Sequence, residues 1–196
     1  MGAFCAINVA QAGNQEGDST MTNSTQEAQF TIQGKPIVLM GPSLKPGDTA
    51  SDFRVVDAGF KQVKLSDFKG KVVLINVVQS LDTGVCSLQT KRFNEEAAKL
   101  PANVVIITIS MDLPFAQKRF CEAEKVDRIK VLSDFVWREF GVKYGIIIKD
   151  LGLLARSIWI IKPDGTIGYR EQVKELSTHP DYDTALKTAR GIAAGK

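Results

Sequence analysis

The run Val72-Val73-Leu74-Ile75-Asn76-Val77-Val78 constrains this chain more than any other stretch. It is aliphatic and β-branched almost throughout, which predicts a strand covered on both faces, as inside a parallel sheet. Gly70-Lys71 bounds it on one side, and Ser80-Leu81-Asp82-Thr83-Gly84-Val85-Cys86 follows on the other. From Ser87 to Leu100 the composition shifts to helix formers. Cys86 therefore falls where the carboxyl end of a strand turns into a helix, in or near its first turn. Ligands and chemistry favour that place in open α/β sheets. Unpaired backbone N–H groups there stabilise an anion, a thiolate included.

Magnitudes show that the helix alone is not enough. A free cysteine with a pKa of about 8.5 is only a few per cent thiolate at neutral pH. A helix terminus is worth roughly 0.3–1 kcal/mol at an exposed site, and one pKa unit corresponds to about 1.4 kcal/mol. A reactive sulfur at this corner therefore wants a hydroxyl donor and a fixed cation. Thr83, three residues earlier on the same turn, can supply the hydroxyl. The cation must come from elsewhere in the chain.

The 196 residues, 44% hydrophobic and 24% charged, fit one ordinary domain with a real core. A net charge of +3, with no basic block interleaved with aromatics, does not argue for nucleic acid. Three cysteines and one histidine cannot supply the paired spacing of a zinc site. Cysteine usage this sparse fits a reducing compartment, and no run approaches the ~20 apolar residues of a membrane span. Residues 1–27 lack Lys and Arg and show no periodicity. They are read as a disordered leader or an added segment, with Cys5 a bystander and no secretory signal. Residues 28–196 form a single domain.

Within that domain Gln29–Leu39 reads as a small hairpin, and Phe53–Val56 with Gln62–Leu65 as another. Val104–Ser110 is a second buried strand, parallel to the first through a right-handed crossover. Asp112-Leu113-Pro114 caps a helix running from Phe115 to Ala123 and carrying Cys121. Ile129–Leu132 is a short strand, Ser133 caps a helix running towards Phe140, and Gly141–Gly152 is an apolar loop. Two strands, Ala155–Ile161 and Thr166–Val173, are joined through Pro163-Asp164-Gly165, and a helix from Tyr182 closes the chain. The fold class is α/β: a thioredoxin-like mixed sheet flanked by helices, with an N-terminal β-hairpin. Trp137 and Trp159 are read as core and His179 as a loop residue. The C-x-x-C pair of a thiol–disulfide oxidoreductase is missing.

At Asp82-Thr83-Gly84-Val85-Cys86 the chain resembles the peroxiredoxins, specifically the thiol peroxidase subfamily of atypical two-cysteine enzymes. The likeness continues through Arg92-Phe93-Asn94, the long string from Met111 to Cys121, Gly152–Arg156 and Pro180-Asp181-Tyr182. The resemblance implies that Cys86 is the peroxidatic nucleophile, Thr83 its hydroxyl partner, Cys121 the resolving cysteine and Arg156 the active-site cation. It further implies a hydroperoxide substrate, a sulfenic acid resolved by an intramolecular disulfide, thioredoxin as reductant, a cytoplasmic homodimer, and neither cofactor nor metal. Asn94 and Gln117 match the family string without an evident chemical role. One position departs: Gln79 stands where the family motif has the proline that shields the sulfur and fixes the turn. A peroxide-sensing relay or chaperone-like binding protein on the same scaffold is the alternative reading.

Overall fold

The computed structural model describes residues 25–195. Its central sheet has seven strands. The aliphatic run becomes β5 (Val72–Val77), buried at every position. It pairs in parallel with β6 (Val104–Ser110), which pairs in parallel with β7 (Lys130–Ser133). On the other side β5 meets β9 (Ser157–Ile161) antiparallel, and β10 (Ile167–Gln172) follows as the outer hairpin strand. The short hairpin β3 (Arg54–Val56) and β4 (Gln62–Lys64) finishes the far edge beyond β7. The sheet is thus mixed, with parallel strands at its centre.

Alternation along β5 divides the core in two. Val73, Ile75 and Val77 join Phe53, Phe140, Tyr144 and Trp159 on one face. Val72 and Leu74 join Cys86, Phe93, Ala185 and Leu186 on the other. That second face is covered by α1 (Gly84–Ala97), α2 (Pro114–Glu124) and α4 (Tyr182–Ala193). Asp181 caps α4 by accepting from the Thr184 N–H at 3.0 Å.

The N-terminal hairpin forms from β1 (Thr25–Ile32) and β2 (Lys35–Met40). Residues 25–27, assigned to the leader from sequence, continue β1; residues 1–24, with Cys5, lie outside the described residues. The predicted loop at Gly141–Gly152 is more ordered than expected. It contains β8 (Ile147–Ile148), which extends the hairpin to three strands. Close backbone approach explains Gly145: at φ +63°, an added Cβ would sit 1.8 Å from the Pro42 carbonyl oxygen.

The expected helix capped by Ser133 is also corrected. Ser133 ends β7, its hydroxyl donating to the Asp112 carbonyl at 2.6 Å, and turns follow before the short α3 (Glu139–Lys143). Buried Asp134 takes the capping role instead, accepting the N–H of Phe140 at 3.1 Å and of Gly141 at 2.8 Å. Burial pushes its carboxyl up to about 7, against the lowering by those two N–H groups. The sign follows from linkage. The unfolded group, near 3.8, ionises first, so this contribution is complete below that value and is lost as pH rises through about 7. Glu139, held down to about 2 chiefly by Arg54, loses its contribution only in stronger acid. Stability of the wild type is therefore expected to fall relative to Asp134→Asn between roughly pH 4 and 7. Thermal midpoints measured across that window check it, at roughly 2–4 °C for each kcal/mol lost.

Candidate active site

The turn after β5 is built to present one helix N-terminus. Thr83 is the N-cap of α1, in extended backbone conformation, and its carbonyl accepts from the Ser87 N–H at 2.9 Å. Its hydroxyl, however, donates to the Ser80 carbonyl at 3.0 Å and makes no capping bond. The structure thus does not bring Thr83 to the sulfur as a hydroxyl donor; the exposed side chain fastens the turn on itself. Asp112, two residues past β6, anchors the same turn by accepting from Ser80 Oγ at 2.7 Å and from the Leu81 N–H at 2.8 Å.

Cys86 is fully buried on the first turn of α1. The residue sequence reasoning wanted beside it is there: Arg156 Nη2 lies 3.4 Å from Cys86 Sγ. Arg156 immediately precedes β9, whose antiparallel pairing with β5 carries it to the same end of the sheet. Arg156 is 1% exposed, and its guanidinium is bonded through all three nitrogens. Nε donates to the Leu176 carbonyl at 2.9 Å, Nη1 to Gln89 Oε1 at 2.6 Å, and Nη2 to Gln79 Oε1 at 2.9 Å. Among the described residues no ion pair within 4.0 Å involves Arg156. A buried cation is costly unless a negative group compensates it. Cys86 Sγ is the ionisable atom in contact with it.

Behind the guanidinium runs a buried amide chain that sequence reasoning missed. Gln89, one turn after Cys86 on α1, donates to Asn76 Oδ1, and Asn76 donates to Thr108 Oγ1 at 2.9 Å. All three side chains are fully buried. The signal was present: Asn76 is the single polar residue of an otherwise aliphatic strand, and a buried amide must find partners.

Cys121 is half-buried on α2 and packs against the same core face as Cys86. Both are free thiols. Burial first, then the neighbouring Glu122, pushes the Cys121 thiol above its ordinary value. Asn94 and Gln117 have structural work. Asn94 Oδ1 accepts the N–H of Asp127 and Arg128 at 3.1 and 2.8 Å, tying α1 to the loop after α2. Gln117 Nε2 donates to Ser110 Oγ at 3.0 Å and to the Leu132 carbonyl at 2.9 Å, fixing α2 on the sheet. His179 is an exposed loop residue whose Nδ1 lies 2.6 Å from the Tyr182 hydroxyl. Trp159 is core, whereas Trp137 is only half-buried, under the Arg54 guanidinium at 4.8 Å. No described helix is long and apolar enough to cross a membrane.

Residues 45–186 match the profile of the Redoxin family. The chain is 51% identical over 159 residues to a thiol peroxidase of Oceanobacillus iheyensis, covering 81% of this chain and 96% of that one. It is 46% identical over 165 residues to a thiol peroxidase of Bacillus subtilis, covering 84% and 98%. Among solved structures, a peroxiredoxin-like protein from Aquifex aeolicus is similar with a TM-score of 0.80 at 37% identity, over 86% of this chain and 98% of that one.

Proposed function

The chain belongs to the Redoxin family, among its thiol peroxidases, and from that membership we propose that Cys86 is the nucleophile that reduces hydroperoxides. The observation that carries the assignment is the buried guanidinium of Arg156, 3.4 Å from Cys86 Sγ and without a carboxylate partner among the described residues. A fixed, always-charged fork favours the ionised sulfur and can also hold a peroxide oxygen. The thiolate attacks one peroxide oxygen, forming an S–O bond as the O–O bond breaks. The leaving oxygen takes the proton the thiol gave up and departs as water or alcohol. Arg156 offsets the charge developing on that oxygen. Thr83 contributes through the turn it fastens.

Cys121 then condenses with the sulfenic acid, releasing water and forming an intramolecular disulfide. The bond requires Cα atoms within about 7 Å; with both thiols free and on separate helices, local opening of one or both helices brings them together during turnover. That opening also frees the Cys121 thiol from the burial that keeps it protonated. Thioredoxin, an external dithiol, returns the enzyme to its reduced form by exchange, in a reducing, cytoplasmic setting. A homodimer completes the reading, and exposed Val142 and Leu151, at 38% and 55%, give the Gly141–Gly152 stretch apolar surface for it.

Peptide mass mapping after one equivalent of hydrogen peroxide tests the scheme. The wild type is expected to lose two hydrogens in a Cys86–Cys121 linkage. Cys121→Ser is expected to consume one equivalent, gain one oxygen at Cys86, and lose at least about a hundredfold in thioredoxin-coupled turnover. Sustained turnover by Cys121→Ser would remove the resolving assignment.

A further inference from the structure

Gln79 remains outside that scheme, yet it touches both of its central groups. Its Oε1 accepts from Arg156 Nη2 at 2.9 Å and lies 4.0 Å from Cys86 Sγ, while Nη2 and Sγ are 3.4 Å apart. An oxygen, a guanidinium nitrogen and a sulfur thus form a closed triangle. An oxygen poised for attack sits about 3–3.5 Å from its nucleophile and needs a donor aimed at it. Gln79 Oε1 therefore occupies, within about an ångström, the place and the hydrogen bond of a bound peroxide oxygen.

It is not needed to orient the guanidinium. Nε and Nη1 are already clamped by Leu176 and Gln89, on opposite edges of a rigid plane, and Gln89 is itself held by Asn76. Nη2 would point at the sulfur with or without Gln79. Mobility divides the same way. Cys86, Gln89 and Arg156 are buried, whereas Gln79 is half-buried, past the end of β5, and its flexible side chain has solvent to swing into.

Resting on the assignment of Cys86 and Arg156 as the reacting pair, we propose that Gln79 is a displaceable internal occupant of the peroxide position, and so sets substrate affinity. Peroxide enters by exchanging its oxygen for the amide oxygen on Nη2, and Gln79 turns out to water. The exchange weakens binding and leaves the bond-breaking step unaltered, since Gln79 has left before the sulfur attacks.

The test is single-turnover oxidation of Cys86 by hydrogen peroxide, followed by stopped flow across peroxide concentrations. Gln79→Ala and the similarly long Gln79→Met both remove the acceptor, so a folding defect in one leaves the other. Each is expected to raise the second-order rate constant about tenfold, equivalent to about 1.4 kcal/mol, with the plateau rate at saturating peroxide unchanged. Gln79→Glu, whose carboxylate would pair with the guanidinium, is expected to lower the second-order rate constant at least about tenfold. A fall with Ala and Met would mean that Gln79 positions the guanidinium, and no change would make it a bystander; either result overturns the proposal. Absence of Cys86 oxidation in the wild type would instead defeat the assignment of the nucleophile.

Discussion

Cys86→Ser is expected to reduce hydroperoxide consumption to the uncatalysed background. The serine hydroxyl has no accessible anion near neutral pH, and oxygen has no counterpart of the sulfenic acid that sulfur forms. Cys121 is not expected to take over, because burial, and then Glu122, push its thiol above the ordinary value. A sulfenic-acid trap should label the wild type at residue 86 and leave Cys86→Ser unlabelled. The same variant probes the electrostatics. Arg156 keeps its three amide and carbonyl acceptors but loses the group that can balance its charge inside the core. The variant's thermal midpoint should therefore drop below that of the wild type. Residual catalysis in Cys86→Ser, accompanied by an oxygen added at Cys121, would transfer the nucleophile's role to α2.

How much of this was legible beforehand follows the range of the interactions involved. β5 announced itself because each of its positions is buried and almost every residue there is aliphatic, a property of the strand alone. The strand-to-helix corner at Cys86 is likewise local, carried by a few adjacent residues. Nothing local points to Arg156: it lies 70 residues away, and only the β5–β9 pairing brings it to the sulfur. A family resemblance could identify it where periodicity could not. β8 was missed because a two-residue strand has no measurable alternation, and its pairing with β2 is long-range. Thr83 shows the converse. The residue type and spacing allowed a bond to the sulfur, but the hydroxyl donates to the Ser80 carbonyl in the same turn. Asn76 and Gln89 were readable as anomalies, polar groups at positions that had to be buried, although their partners were not.

Arg156→Lys separates charge from geometry, and its expected effect is a loss of at least about a hundredfold in the second-order rate constant for Cys86 oxidation. Lysine keeps the positive charge. It cannot keep the arrangement, because one ammonium nitrogen replaces three nitrogens that reach the Leu176 carbonyl, Gln89 Oε1 and the Cys86–Gln79 side at once. Gln89 Oε1 then lacks its donor, and the amide chain through Asn76 to Thr108 loses the charged end that polarises it. A lysine drawn towards Gln89 and Leu176 leaves the sulfur, and one drawn to the sulfur leaves two buried acceptors unpaired, each costing about 1–3 kcal/mol. Both routes predict a slower enzyme, and the second a less stable one. Stopped-flow oxidation by hydrogen peroxide, read beside the thermal midpoint, distinguishes them. If Arg156→Lys instead retained near wild-type rates, a diffuse positive charge would suffice, and the directed fork of Arg156 would have no part in the chemistry at Cys86.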